Sequence, residues 1–564
     1  MGDYVSTNQI QLDLSTPHVI YALLGGFMIF FGVISMLFRE NLYLGEPSFA
    51  LLFGIAMGPY GAGLLIPPEW AAASSTDHGN VVLELTRIVL AIQMLMIGAT
   101  LPRAYLWRHL GSMTLILAPV MLIGWLTCAG LIYALIPSLN FYSSLVIAAC
   151  ITPTDPLLAS AVLQGKYADK HVPGHIRNLL IAESGANHIT AFPILFLCLY
   201  LVLDGPTVRA AMSHWFLLVW LYQVGLAVLI GAIMGIVTCR LLKFCELREL
   251  IDRHSYEAQQ VSLALLTTGI ATILGLDDLL AAFASGTAFG WDGYYSQNIE
   301  ESGTPSVVGQ LLNVVAFIFL GAWIPFSQFI NADLGTTVTR LVLVGGLVLL
   351  LRRLPAVMLL HRWISDVKSL GESLFVGHFG PIGIGAAFLS MLANRILRDN
   401  ADQDQTKNLM SALQPMVAFI ILCSVLVHGL SICTFSLGKR IRTLSRTSSS
   451  DSQTPEWLNQ TRRAEIGSDD IQVNRESDME KGEAIDHRES LHGRSSPCGS
   501  GTHVGSASES VKNVSVAESP PQGVQFPGTE SSLPHRGNPL QGAEQSSGHG
   551  EVRSVLELHQ LKSY

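Results

Sequence analysis

Residues 143–165 read SSLVIAACITPTDPLLASAVLQG, an apolar run of membrane length that carries Pro153, Asp155 and Pro156 near its middle. A bilayer core takes about 20 apolar residues per helix, and an ionisable group at its centre costs about 2.5 kcal/mol or more. Two prolines so close together remove helical hydrogen bonds and free backbone carbonyls. Lipid does not tolerate that; only a protein contact or a water-filled cavity does. The stretch therefore predicts a broken helix with a carboxylate at the break. The carbonyls, the Thr154 hydroxyl and Asp155 together offer hard oxygen ligands to a cation. The bland alternative is a proline kink beside a buried, protonated aspartate.

The rest of the chain agrees with a lipid solvent. Of the 564 residues 49% are hydrophobic and 14% charged, with mean hydropathy +0.41, against about 25% charged in soluble domains. The net charge of −9 is spread over loops and tail, with no basic field suited to nucleic acid. The cysteines show neither CxxC nor zinc spacing, which argues against a metal cage or disulfide framework. Residues 1–17 are polar and precede a full-length span, so no cleavable signal peptide is expected.

Thirteen spans are predicted, centred near residues 28, 54, 92, 124, 153, 190, 229, 266, 284, 316, 348, 382 and 424. Only the turn at Leu276-Asp277-Asp278 separates the eighth from the ninth. With the amino terminus outside, twelve Lys and Arg fall in cytoplasmic loops and five in outer loops, as the positive-inside rule favours. The predicted organisation is a short extracellular segment (1–17), an all-α polytopic membrane domain (18–437) and a hydrophilic cytosolic tail (438–564). The tail is rich in Ser, Gly, Pro and mixed charge, a composition that predicts disorder. It opens on the basic cluster Lys439-Arg440-Ile441-Arg442, which reads as a stop-transfer flank or a contact with anionic lipid. Arg442–Ser445 and Arg446–Ser449 fit kinase patterns, which Ser-rich tails also produce by chance. The sequons at Asn459 and Asn513 stay unmodified if the tail is cytosolic.

The sixth predicted span, residues 177–203, reads RNLLIAESGANHITAFPILFLCLYLVL. Helical spacing puts Glu183 and Asn187 on one face, with Ser184 and His188 one step around. In the eleventh, Arg352-Arg353-Leu354-Pro355 follows a long apolar run. One arginine can cap the inner end of the helix. The other, if buried, needs a carboxylate, and Glu183 is the best candidate. The twelfth, GESLFVGHFGPIGIGAAFLSML (371–392), has a Gly/Pro interruption in its middle. Two interrupted helices in corresponding places of two halves point to an inverted-repeat transporter with a midplane site.

The motif ITPTDPLLASAV, followed about thirty residues later by AESGANHITAFPILF, resembles the monovalent cation:proton antiporter-1 family. GPIGIGAAF (380–388) and VHGLSI (427–432) match the same family over roughly residues 18–437. Asp277-Asp278 and the hydrophilic tail resemble its fungal plasma-membrane Na⁺/H⁺ branch. The resemblance implies a homodimeric, cofactor-free transporter, not an enzyme, that exchanges Na⁺, K⁺ or Li⁺ for H⁺. Its only metal is the transported cation. Thr154 and Asp155 would be cation ligands at a crossover of two broken helices, with Ser184 in the ion's shell. Glu183 would pair with Arg352 or Arg353 to hold the domain together, and Asp277 and Asp278 would contribute to transport unless they are simply a polar turn.

One position departs from the family. An Asn-Asp pair is usual in the sixth span, and here it is Asn187-His188. Imidazole is a poor ligand for a hard monovalent cation. Two readings follow. In one, the chain is an active antiporter: protonated His188 with ionised Asp155 has the same net charge as neutral His188 with Asp155 and a bound cation. In the other, the chain is a non-transporting relative that acts as a regulator or sensor through its tail.

Overall fold

The computed structural model describes residues 16–37, 45–67, 78–163, 172–203, 208–250, 255–293, 307–398 and 404–450, the last without its side chains from residue 432. Residues 1–15 of the predicted extracellular segment 1–17, the side chains of 439–442 and the tail with Asn459 and Asn513 lie outside the described residues.

Among the described residues the chain is helical, with one isolated β-bridge between Asn331 and Thr336. The first helices are α1 (Thr16–Leu37), α2 (Glu46–Met57), α3 (His78–Thr100) and α4 (Met121–Leu135). A π-helical turn, Ile116–Val120, leads into α4 around Pro119. There follow α5 (Phe141–Ile151), α6 (Pro156–Leu163), α7 (Gly174–Ala186) and α8 (His188–Leu203). Next come α9 (Leu226–Leu247), α10 (Ser255–Ile273), α11 (Asp278–Phe289) and α12 (Val307–Trp323). The last are α13 (Val338–Leu351), α14 (Leu354–Leu360), α15 (Leu370–His378), α16 (Ile384–Arg398) and α17 (Asp404–Ser450).

Every predicted span centre falls inside one of these helices except those near 153 and 382, which fall in breaks: α5 to α6 and α15 to α16. Among the described residues, six helical stretches are long and apolar enough to cross a membrane on their own. Several others, among them α2, α5 and α11, are shorter apolar helices. The difference has local causes. Thr152–Asp155 interrupts the helix at the prolines, and α11 begins only at the Asp277 cap. Before that cap, Gly275 takes φ +67°, a left-handed conformation that ends α10 and turns the chain.

Short polar side chains start the helices. Asn140 Oδ1 accepts from the Ser143 amide at 2.7 Å and caps α5. Ser369 caps α15 through the Glu372 amide (3.2 Å), and the Glu372 carboxylate reaches back to the Lys368 amide (2.7 Å). Small residues then set how closely helices approach. A Cβ on Gly231 or Gly235 of α9 would collide with the Ala281 and Ser285 carbonyls of α11. In lipid, such small-residue seams replace the hydrophobic effect as the source of helix association.

Candidate functional site

The two breaks meet. Between α5 and α6 the chain runs Thr152–Asp155, and between α15 and α16 it runs Phe379–Gly383. The Asp155 amide donates to the Pro381 carbonyl at 2.7 Å. Asp155 Oδ1 accepts from the Leu158 amide (2.9 Å) and Oδ2 from the Gly385 amide (3.1 Å). The buried carboxylate thus faces the N-terminal ends of α6 and α16 together, where helix dipoles favour negative charge. Gly383 makes this possible: a Cβ there would lie 2.7 Å from Asp155 Cγ and Oδ2.

Arg352 does the converse. Its Nη1 donates to the carbonyls of Ile151 (2.6 Å), Thr152 (2.8 Å) and Pro153 (3.3 Å), and its Nη2 donates to the Gly380 carbonyl. These are the carbonyls released where α5 and α15 end. One cation therefore caps two C-terminal helix ends, and one carboxylate caps two N-terminal ends.

Arg353 turns the other way and forms a buried fork with Glu183. Its Nη2 donates to Glu183 Oε2 at 2.6 Å, its Nη1 donates to Oε1, and its Nε donates to the Val376 carbonyl (2.8 Å). Glu183 is 1% and Arg353 5% exposed. The partner left open by the sequence is thus Arg353. Arg352 caps broken helices other than its own.

The sixth stretch brings Asn187 and His188 to the crossing. Asn187 Nδ2 donates to the Thr154 carbonyl at 3.0 Å and also to its hydroxyl. That orientation leaves Asn187 Oδ1 buried without a hydrogen-bond partner. His188 Nε2 is likewise buried and unpartnered, and would lie 3.8 Å from a Cβ on Gly385. Asp155 Oδ2 and His188 Nε2 therefore both face Gly385, yet no ion pair joins them among the described residues. Ser184 makes no hydrogen bond with Asp155 among the described residues. Its hydroxyl donates back to the Ile181 carbonyl of its own helix at 3.0 Å.

Asp277 and Asp278 stand elsewhere, at the start of α11. Asp277 Oδ1 caps the helix through the Leu280 amide (3.1 Å), and its Oδ2 is buried without a hydrogen-bond partner. Asp278 Oδ2 lies 2.7 Å from Arg87 Nε of α3, and Arg87 Nη1 also meets Glu84 Oε1 at 2.6 Å. The Arg87 guanidinium sits 5.8 Å from the centroid of the Phe388 ring on α16.

Residues 26–437 match the family described as sodium/hydrogen exchanger, transmembrane. The chain belongs to that family. It is 42% identical over 450 residues to a Na⁺/H⁺ antiporter of Saccharomyces cerevisiae, covering 78% of this chain and 45% of the relative. A probable Na⁺/H⁺ antiporter of Schizosaccharomyces pombe is 42% identical over 447 residues, which is 77% of this chain and 58% of that protein. The chain therefore spans about half the length of these curated relatives. A second S. pombe Na⁺/H⁺ antiporter is 36% identical over 442 residues, covering 77% of this chain and 93% of its own length. Among solved structures, the sodium proton antiporter MjNhaP1 of Methanocaldococcus jannaschii has the same fold. The TM-score is 0.56 at 18% identity, over 75% of this chain and 97% of that one.

In this exchanger-family chain, sequence reasoning missed the roles of four residues. Arg352 as the cap of two broken helices was signalled by the carbonyls that prolines release, since buried carbonyls need donors. Arg87 as the partner of Asp278 had no local signal, because 191 positions separate them. Ser424 and His428 of α17 touch the second break; His428 lay inside the recognised VHGLSI motif without an assigned partner, and Ser424 lay three residues before it.

Proposed function

We propose that this chain is a secondary antiporter that exchanges Na⁺, with K⁺ and Li⁺ as alternatives, for H⁺ across the plasma membrane. The observation that carries the reading is Asp155 at the meeting point of two broken helices, beside the unpartnered Asn187 Oδ1 and His188 Nε2. Burying a carboxylate costs several kcal/mol. Each amide bond to the charged group returns about 1.5–3 kcal/mol, and each helix end at most about 2 kcal/mol. The terms nearly balance. That is the condition in which the carboxylate stays ionised and takes up a monovalent cation in exchange for a proton held beside it.

Asp155 and the Asn187 amide oxygen supply the cation's oxygen ligands, with Thr154 becoming available when the Asn187 amide turns. His188 carries the proton when the cation is absent, so one cation exchanges for one proton. Glu183 and Arg353 hold the core together, and Asp277, Asp278 and Arg87 form a separate charged group that supports transport. Thirteen passes arranged as inverted repeats, a homodimer and a cytosolic carboxy terminus open to kinases or other regulators complete the proposal.

A specific observation favours the other reading: His188 stands where the family has an aspartate, and it makes no ion pair with Asp155. A non-transporting sensor would give no flux. Cation-induced proton flux in proteoliposomes, with Na⁺, K⁺ and Li⁺ tested separately across a pH range, separates the two.

A further inference from the structure

The second break is held by Asp155 and Arg352, and it is also met by a single turn of α17. The Ile382 amide donates to Ser424 Oγ at 2.7 Å. One turn on, His428 Nε2 lies 3.0 Å from the His378 carbonyl, and Nδ1 lies 3.2 Å from Ser424 Oγ and 2.8 Å from the Ser424 carbonyl. Ser424 and His428 are both buried.

Carbonyls only accept, and each ring nitrogen faces one: Nε2 the His378 carbonyl and Nδ1 the Ser424 carbonyl, so a neutral ring donates to one of the two. In the tautomer protonated at Nε2 the ring donates to the His378 carbonyl and Nδ1 accepts from the Ser424 hydroxyl. In that tautomer, which the clamp proposed below takes, the hydrogen bonds run from the Ile382 amide to the Ser424 hydroxyl to His428 and on to the His378 carbonyl. The two ends of this relay are backbone groups at His378, just before the break, and at Ile382, inside it. His378 is the last residue of α15, and Ile382 lies just before α16.

Between those ends sit the groups that hold the crossing. The Gly380 carbonyl takes Arg352, and the Pro381 carbonyl takes the Asp155 amide. Three residues past Ile382, the Gly385 amide binds the Asp155 carboxylate at 3.1 Å. The relay thus fixes the span across which Asp155 is gripped, although neither Ser424 nor His428 hydrogen-bonds to Asp155.

We propose that Ser424 and His428 are positioning residues for cation binding, a clamp from α17 on the second break that holds its backbone in the register Asp155 requires. The inference rests on the reading of Asp155 as the cation site. Without the clamp the empty break relaxes, and binding must restore it. The cost then appears in apparent affinity more than in maximal rate.

The test uses the full chain in two assays: proton flux against Na⁺ concentration in proteoliposomes, and Na⁺-dependent thermal stabilisation in detergent, which needs no transport. Ser424→Ala and His428→Ala should each raise the half-saturating Na⁺ roughly tenfold in both assays. Tenfold corresponds to about 1.4 kcal/mol, within the usual cost of a stranded buried polar group. Maximal flux should stay within about twofold of the parent. His428→Gln places an amide donor where Nε2 was and should recover most of the affinity. Ser411→Ala, on an exposed part of α17, should match the parent. If His428→Ala does not accumulate, Ser424→Ala and His428→Gln carry the comparison.

Unchanged half-saturation, with only yield or maximal flux reduced, makes the turn merely structural and overturns the clamp. Asp155→Asn runs alongside. If it abolishes Na⁺ stabilisation while Ser424→Ala leaves affinity untouched, the clamp fails alone. If Asp155→Asn still binds Na⁺ like the parent, the site reading fails and the clamp fails with it.

Discussion

Replacing Glu183 by Gln keeps the side chain's shape and removes its charge, which leaves Arg353 buried beside a neutral amide. Both groups are almost fully enclosed, at 1% and 5% exposure, so solvent does little to screen the loss. Arg353 keeps its bond from Nε to the Val376 carbonyl but loses both arms of the carboxylate fork. Removing one partner of a buried pair costs roughly 3–5 kcal/mol. At about 2 °C per kcal/mol, the lower end for large domains, apparent melting should fall by about 6–10 °C. Thermal unfolding of the purified protein in detergent, with scan rate held fixed, reads this directly. The structure further specifies who rescues whom. Glu183→Gln combined with Arg353→Gln should regain much of the loss, because no charge is stranded. Combined with Arg352→Gln it should lose more, because the carbonyls of Ile151, Thr152 and Gly380 then lose their donor as well. A single Glu183→Gln variant as thermostable as the parent, or rescue through Arg352 in place of Arg353, refutes the pairing.

Two further outcomes follow from the same geometry. His188→Ala should weaken exchange or remove its pH optimum, and His188→Asp should strengthen Na⁺ binding by adding a hard oxygen ligand. In the second variant the pH dependence should move away from the imidazole range near ~6.5, since two close carboxylates titrate as a coupled pair. Flux assays across pH check both, and an active parent whose pH profile is unchanged in His188→Ala refutes His188 as proton carrier. Truncation after residue 450 should leave basal exchange measurable, because every residue of the crossing lies before it. A truncated protein that reaches the membrane and shows no exchange contradicts that.

The parts of this chain that were legible in its sequence are those where lipid makes a polar group expensive. Asp155 between two prolines predicted a break with a carboxylate, against the alternative of a simple kink, and the Gly/Pro interruption at 380–383 predicted a second break. Both appear where the residues put them. Glu183 also announced a buried cationic partner. Which arginine it takes was not legible, because Arg352 and Arg353 are adjacent and lie where α13 gives way to α14. There Arg353 leaves helical geometry, with φ −126° and ψ −45°, and the two side chains diverge toward different elements. Ser184 satisfies its donor locally: a helical serine can bond back to the turn before, and this one does. The Arg87–Asp278 pair and the grip of α17 on the second break depend on which helices become neighbours. No single stretch encodes that.

The account stands on Asp155, and cation-induced proton flux through Asp155→Asn tests it most directly. The substitution removes the carboxylate's charge at almost no steric cost, so the variant should elute from size exclusion and melt as the cation-free parent does. In proteoliposomes it should show no exchange with Na⁺, K⁺ or Li⁺ at any pH where the parent is active. Undiminished Na⁺ or K⁺ exchange by Asp155→Asn would contradict the assignment of the crossing as the transport site.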